Sequence, residues 1–462
     1  MSFIERGVIV TRMQISDKFT FFRLIRFALP TIIMVIFTSL YGIVDGLFIS
    51  NVVGDDAFTA VNLFLPVFYM LGSIGFLLGS GGCALIAKLF GQGNEHTARR
   101  MFSGLFIITA VTAATFTAIM IPVMPRVASA LGAKGDVYGH CVTYGRIMLA
   151  GLVPFILQSF FQYYFAVADR PKLGLAITVA AGVTNMLGDF LLIYVAEMGV
   201  VGAAVATIVG ECVGSVIPVA YFFIKKGKRL YFAKPSFNAK TIFKICSNGS
   251  SEMITNISSS LVNMLYNFQL LKYIGNDGVV AYGILMYIGF IFIGCYLGFA
   301  VGVSPIVGYN YGANDREQLQ SIFKKCLLFY TAAAVIMTAL SEALASPLAY
   351  VFVNYDENLL ELTTLAIRIY SLSFLISGFN IFASAFFTAL NNGPVSFIIS
   401  VSRTLLFQIG AVFLTPLIFG VNGIWSATAV AELLSLAISV TMIMIYRTKY
   451  GYVKSATLNS DA

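Results

Sequence analysis

Charge is what this sequence has least of. Only 11% of its 462 residues are Asp, Glu, Lys or Arg, against roughly 25% in a soluble globular chain. Histidine occurs twice, as His96 and His140, and tryptophan once. With so few imidazoles, a histidine-built zinc centre is not expected. The six cysteines (Cys83, Cys141, Cys212, Cys246, Cys295 and Cys326) form no CxxC pair, and five lie in or beside apolar stretches. They read as small hydrophobes, with no disulfide framework and no metal cluster expected. There is no GxxxxGK[ST] loop, which argues against transport driven by ATP. Nor is there a sizeable polar loop to carry the catalytic groups of a membrane enzyme.

Apolar residues fill the chain instead. They make up 58% of it, with a mean hydropathy of +0.87. A soluble protein could not hide that much apolar surface, so the solvent for most of this chain is lipid. The first apolar run extends from Phe27 to about Val53. That is too long for a signal-peptide core, no small-residue cleavage site follows it, and it reads as a retained span.

Apolar stretches of 18 or more residues number twelve. Their approximate limits are 27–50, 58–87, 101–125, 143–168, 172–196, 199–224, 245–271, 279–307, 325–349, 363–390, 395–419 and 422–446. The expected fold is therefore all-α and integral to the membrane. An even number of spans puts both termini on one side. With that side cytoplasmic, the inner segments hold 23 of the 29 Lys and Arg residues, the outer ones five, and Arg403 lies within a span. The bias places both termini inside. The net charge of +8 is then a topology signal, and nucleic acid is not an expected partner.

The longest basic stretch, Lys225 to Lys244, divides the chain into lobes 1–224 and 245–462, each with six spans. The halves align at a constant shift of 221. Gly54-Asp55-Asp56 meets Gly275-Asn276-Asp277, Gly81 meets Gly302, and Gly91 meets Gly312. Gly202, Thr207 and Glu211 meet Gly423, Thr428 and Glu432, while Pro171 and Pro394 match at 223, after one short indel. Matching glycines alone would be weak in a membrane protein. Matching threonines, glutamates and loops imply parallel repeats related by an axis along the membrane normal, with a cleft between two pseudo-symmetric six-helix bundles.

An ionisable group at bilayer depth costs roughly 2.5–3.5 kcal/mol on insertion scales and marks a site to consider. Asp45 and Asp189 are each expected about 10 Å below the outer surface, at the level of Thr207. Asn185 precedes Asp189 by four residues and Glu211 follows Thr207 by four, so each pair shares a helix face, and Tyr41 lies one turn before Asp45. Two carboxylates, an amide carbonyl and a hydroxyl suit a hard cation such as Na⁺, and a close carboxylate pair also holds a proton. As structural polars they would only bond neighbouring helices. The second half has no equivalent acidic pair. Asp45 meets Tyr266, and Asp189 meets Gly410 or Val412. The roles of Arg403 and Glu432 stay open, and Glu252 is expected at the inner interface.

These residues carry a resemblance to the multidrug and toxic compound extrusion (MATE) family. It spans nearly the whole chain through Leu29-Pro30, Leu40-Tyr41-Gly42-Ile43-Val44-Asp45, Gly79-Ser80-Gly81-Gly82-Cys83-Ala84, Phe90-Gly91-Gln92-Gly93, Asn185-x3-Asp189 and the segment from Val201. The pattern looks closer to bacterial members of the DNA-damage-inducible branch. The resemblance implies a Na⁺ or H⁺ site at Asp45, Asn185, Asp189 and Thr207, a helix that bends at Pro30, and antiport export of small amphipathic, often cationic compounds. No other cofactor is implied. A monomer in the bacterial inner membrane, surrounded by lipid, is expected. Gln158 and Gln162 share a face of span four, where they either line the cleft or bond neighbouring helices. The nearest alternatives are a lipid-linked saccharide flippase of the same superfamily, which would carry basic residues where this first lobe carries acids, and a channel.

Overall fold

The computed structural model describes residues 13–225 and 227–453. The described residues form fifteen α-helices: α1 (Phe21–Phe48), α2 (Asp55–Gly91), α3 (Glu95–Ala130), α4 (Gly135–Ala150), α5 (Leu152–Val167), α6 (Pro171–Asp189), α7 (Gly199–Phe223), α8 (Ala239–Tyr273), α9 (Asn276–Gly312), α10 (Arg316–Val353), α11 (Glu357–Ser371), α12 (Phe374–Ala389), α13 (Gly393–Val401), α14 (Phe407–Phe419) and α15 (Val421–Tyr450). Single π-helical turns follow α1 (Ile49–Val53) and α6 (Phe190–Val195), and a third joins α13 to α14 (Ser402–Leu406).

Among the described residues nine helical spans are long and apolar enough to cross a membrane. Two bent pairs, α4–α5 (53°) and α11–α12 (46°), bring the number to eleven. The twelfth expected span is α8. At 35 residues it is ample for a bilayer at about 1.5 Å per residue, but its serines and asparagines lower its hydropathy. A span this polar belongs against protein or a water-filled cleft rather than lipid.

The repeat seen in the sequence recurs in the backbone. Gly54 and Gly275, which pair at the shift of 221, precede α2 and α9 with φ of +107° and +89°, a region essentially closed to residues with a Cβ. Pro171 and Pro394 both stand in the first turn of a helix, where a proline displaces no hydrogen bond.

The two lobes meet at the end that carries the chain termini. There α2 of the first lobe lies backbone to backbone against α8 and α9 of the second. A Cβ added to Gly81 would fall 2.2 Å from the Ile245 carbonyl oxygen, one on Gly249 1.9 Å from that of Leu77, and one on Gly312 2.1 Å from that of Lys88. Gly298 and Gly302 bring α9 close to α1, where an added Cβ would fall 2.4 Å from Ile32 Cα and 2.9 Å from Ala28 Cα. Toward the opposite end, Gly42, Gly46 and Gly283 have open space around them. The bundle is thus sealed at its terminal end and parted at the other.

A short segment before α1 reinforces the seal. Ile15 and Phe19 are buried in the core that also holds Phe299, Phe323, Phe386 and Tyr452 of the second lobe. The Ile15 amide donates to Asp169 Oδ1 at 2.8 Å, and Asp169 is paired with Arg229 at 3.1 Å. The basic stretch between the lobes is likewise docked rather than loose. The Phe232 ring stacks on Phe102 of α3 at 5.1 Å, and Arg99 Nε donates to the Arg229 carbonyl at 2.8 Å.

Candidate cation site in the first lobe

Asp45 stands in the last turn of α1 and Asp189 is the final residue of α6, each just before a π-helical turn. Such turns break the regular i→i−4 ladder and recur at functional positions. The helices approach closely enough to bring the side chains together. A Cβ on Gly182 of α6 would meet Phe37 and Tyr41 of α1 at 2.6 and 2.8 Å, and one on Gly210 of α7 would meet the Ala181 carbonyl and Asn185 Cβ at 2.9 Å.

The carboxyls of Asp45 and Asp189 face one another within hydrogen-bonding reach. Asn185 Nδ2 donates to Thr207 Oγ1 at 3.4 Å, and Thr207 in turn donates to the Ala203 carbonyl at 3.0 Å. That leaves Asn185 Oδ1 without a donor. Tyr41 lies against Gln158 and close to Glu211 and Tyr69. Asn185, Asp189, Gln158 and Glu211 are all buried. The four residues read as a cation or proton site, together with Tyr41 and Glu211, therefore do converge. Gln158 joins this cluster inside the first lobe rather than opening on the cleft, and Gln162 beside it is half-buried. Pro30 is buried within α1, which continues unbroken across it.

What sets the cluster apart is the sign of its unmet bonds. Among the described residues, Asp45 Oδ1, Gln158 Oε1, Asn185 Oδ1, both oxygens of Asp189 and Glu211 Oε2 are buried without a hydrogen-bond partner. All six are acceptors. Buried polar atoms are ordinarily paired, and each unpaired one costs about 1–3 kcal/mol. Six acceptors with no donor call for something positive: a proton between the carboxyls, or a cation with oxygen ligands.

The matching place in the second lobe is closed. Tyr266 and Thr428 hydroxyls lie 2.8 Å apart, and Gln408 Nε2 donates to both, at 3.0 and 2.9 Å. Gln408 is the repeat mate of Asn185 at the shift of 223 already visible in Pro171 and Pro394, so it was within reach of the sequence alone. Val412 then stands where Asp189 does. Glu432, the mate of Glu211, is also satisfied. Arg403 Nε donates to its two oxygens at 2.8 and 3.1 Å, and Asn380 Nδ2 adds a bond of 2.7 Å. The partner of Arg403, left open by the sequence, is therefore Glu432. Glu252 departs from its expected place. Three residues beyond the Gly249 seal, it is half-buried between the lobes, near Tyr163 of α5 and Arg403.

The family profile MatE matches residues 30–191 and 252–414, once in each half. The chain is similar to the multidrug export protein MepA of Staphylococcus aureus (strain MSSA476), 24% identical over 432 residues that cover 92% of this chain and 93% of that protein. Among solved structures, a MATE crystallised in complex with MaL6 superposes with a TM-score of 0.89 at 22% identity, covering 97% of this chain and all of the other. An outward-facing multidrug resistance MATE transporter of the MOP superfamily gives 0.88 at 21%, covering 97% and 99%.

Proposed function

The chain belongs to the MATE family, and on that premise we propose that it is a secondary exporter, exchanging Na⁺ or H⁺ for small amphipathic, often cationic compounds by alternating access. It is a membrane transporter and not an enzyme. The observation that carries the coupling is the cluster of six unpaired acceptor oxygens in the first lobe. The basic bias of the terminal end supports cytoplasmic termini in a bacterial inner membrane, so the parted end of the bundle faces outside and the coupling ion enters from there. The same acids weigh against a flippase for pyrophosphate-linked saccharides, because they would repel the anion. We place the chain in the membrane as a monomer.

The coupling follows from simple electrostatics. Two carboxylates about 4 Å apart repel by about 4 kcal/mol at an effective dielectric of 20. One cation or proton between them removes that repulsion. Moving a two-state equilibrium from 1:99 to 99:1 takes about 5.5 kcal/mol, so occupancy of this site is of the size needed to change which face is open. Exchanging a positive charge also draws on the membrane potential, about 2.3 kcal/mol per charge per 100 mV.

The test is efflux of ethidium or norfloxacin from proteoliposomes holding the full chain, with Na⁺ and pH gradients imposed separately. Export that follows one gradient names the ion. Equal flux without either gradient would support the channel, and no flux would point to another cargo.

The closed second-lobe triad should take no part in the coupling. Tyr266→Phe is expected to cost about 1 kcal/mol of stability, the worth of a neutral hydrogen bond, because Gln408 and Thr428 remain bonded to each other. Gradient-driven efflux should change by less than about threefold. A thermal unfolding series beside the efflux assay checks both, and a loss as large as that of an Asp189 variant would overturn the one-lobe assignment.

A further inference from the structure

Arg403 lies within the π-helical turn Ser402–Leu406 of the second lobe. Glu432 engages only its Nε, through both carboxylate oxygens. Glu432 is fixed in its turn by Asn380, and Asn380 Oδ1 accepts from Ser439 Oγ at 2.7 Å. The guanidinium is therefore held in one orientation by a chain of bonds. Among the described residues neither Nη finds an acceptor. The side chain keeps 13% of its surface exposed, against 5% for Glu432. A guanidinium presents donors in a planar fork that matches a carboxylate. Here one edge of that fork is anchored and the other is free.

Glu252 of α8 lies within electrostatic reach of Arg403, which is ion-paired with Glu432 and not with it. Among the described residues the Glu252 carboxylate takes no hydrogen bond, and Tyr163 of the first lobe lies near it. It stands one turn beyond Gly249, which abuts the first lobe at Leu77, and so at the floor of the parted cleft. A positive edge and a free carboxylate thus share that floor. They lie away from the first-lobe cation cluster, and the coupling proposed above uses neither.

We infer that Arg403 and Glu252 form a bipolar subsite for zwitterionic cargo, the Nη edge of Arg403 taking a carboxylate of the compound and Glu252 its ammonium. The inference rests on the exporter reading of this cleft and names the class of compound it selects. A simple cation lacking a carboxylate would use Glu252 alone and would meet Arg403 as an unfavourable neighbour.

The experiment compares norfloxacin, which carries a carboxylate and an ammonium, with its methyl ester, which carries only the ammonium. Gradient-driven efflux of both is measured in proteoliposomes for the native chain, for Arg403→Gln/Glu432→Gln and for Arg403→Lys. The double variant removes both charges together and so leaves no buried carboxylate unpaired. Its norfloxacin efflux should fall about tenfold, the size expected for one charge-assisted hydrogen bond, with ester efflux within about twofold of native. Arg403→Lys keeps Glu432 paired but lacks the fork, and a loss of about threefold confined to norfloxacin is expected. Glu252→Gln should weaken both compounds. An equal fall for both compounds in the Arg403 variants would make the pair structural and overturn the inference, as would no change in either. If the native chain failed to export even the ester, the exporter reading itself would fall instead.

Discussion

Asp189→Asn is expected to reduce gradient-driven efflux at least 100-fold while leaving the protein as stable as the native chain or more so. The two halves of that result come from one cause. Both oxygens of Asp189 are buried without a donor, and Asp45 faces them. The amide that replaces the carboxylate brings an N–H that can bond to Asp45 Oδ1, and it removes one of two repelling charges. The variant therefore imitates the occupied site permanently. It should fold well, yet it can no longer gain or lose the ion, and the cycle stops in one orientation. A 100-fold loss corresponds to about 2.7 kcal/mol, within the roughly 4 kcal/mol of repulsion that occupancy relieves. Asp45→Asn should behave alike. The double variant should lose no more than either single one, because the two carboxyls act as a unit and such effects do not add. Efflux in proteoliposomes and thermal unfolding of the purified protein read the two halves separately. A variant that is destabilised but still driven by the gradient would make Asp189 a structural residue.

That prediction was available from the sequence in outline only. Asn185-x3-Asp189 and Thr207-x3-Glu211 are spaced so that any helix puts each pair on one face, and buried charges in a chain this apolar single themselves out. What spacing could not show is which oxygens lack donors. Asn185 uses its amide N–H on Thr207 and turns its oxygen away, an arrangement fixed by the approach of α6 to α7 at Gly210. Gln158 illustrates the limit. Its face of α5 was legible, but the choice between cleft and helix interior depends on the bend at Gly151 between α4 and α5. Glu252 shows a similar limit. Counting residues from the apolar boundary put it at the interface, because the start of α8 is polar in sequence; the helix in fact begins at Ala239, which carries Glu252 farther in. Repeats were the most informative signal, since a residue in one half can be read against its mate. Tyr266, Gln408 and Thr428 close with three mutual bonds, where Asp45, Asn185 and Thr207 share only the one from Asn185 to Thr207.

The second large effect concerns the seal rather than the site. Gly249→Val is expected to abolish the closed terminal end and cut transport about 100-fold. A Cβ at Gly249 would lie 1.9 Å from the Leu77 carbonyl and 2.8 Å from its carbon. Both atoms belong to helix backbone, which cannot swing aside as a side chain would. Overpacking in a well-filled core typically costs 1–3 kcal/mol, and a clash with backbone lies at the upper end of that range. About 3 kcal/mol shifts a two-state population by about 150-fold. Because α2 and α8 belong to different lobes, the added side chain strains the contact between lobes and not the packing within either. Each lobe should therefore keep its fold while the pair abandons the state sealed at the terminal end. Spin labels at Asn94→Cys and Asn314→Cys, on a background lacking the native cysteines, would report this. Both positions are exposed on matching loops of the two lobes, so the distance between them should lengthen in the variant and stay short in the native chain. Gly42→Val, where nothing lies within 4 Å, is the control, and its labels should keep the native spacing. An unchanged distance in Gly249→Val with transport intact would show that the lobes do not part along this seam. A lengthened distance with transport lost would make opening at α2 and α8 the step that exposes the cleft to the terminal side.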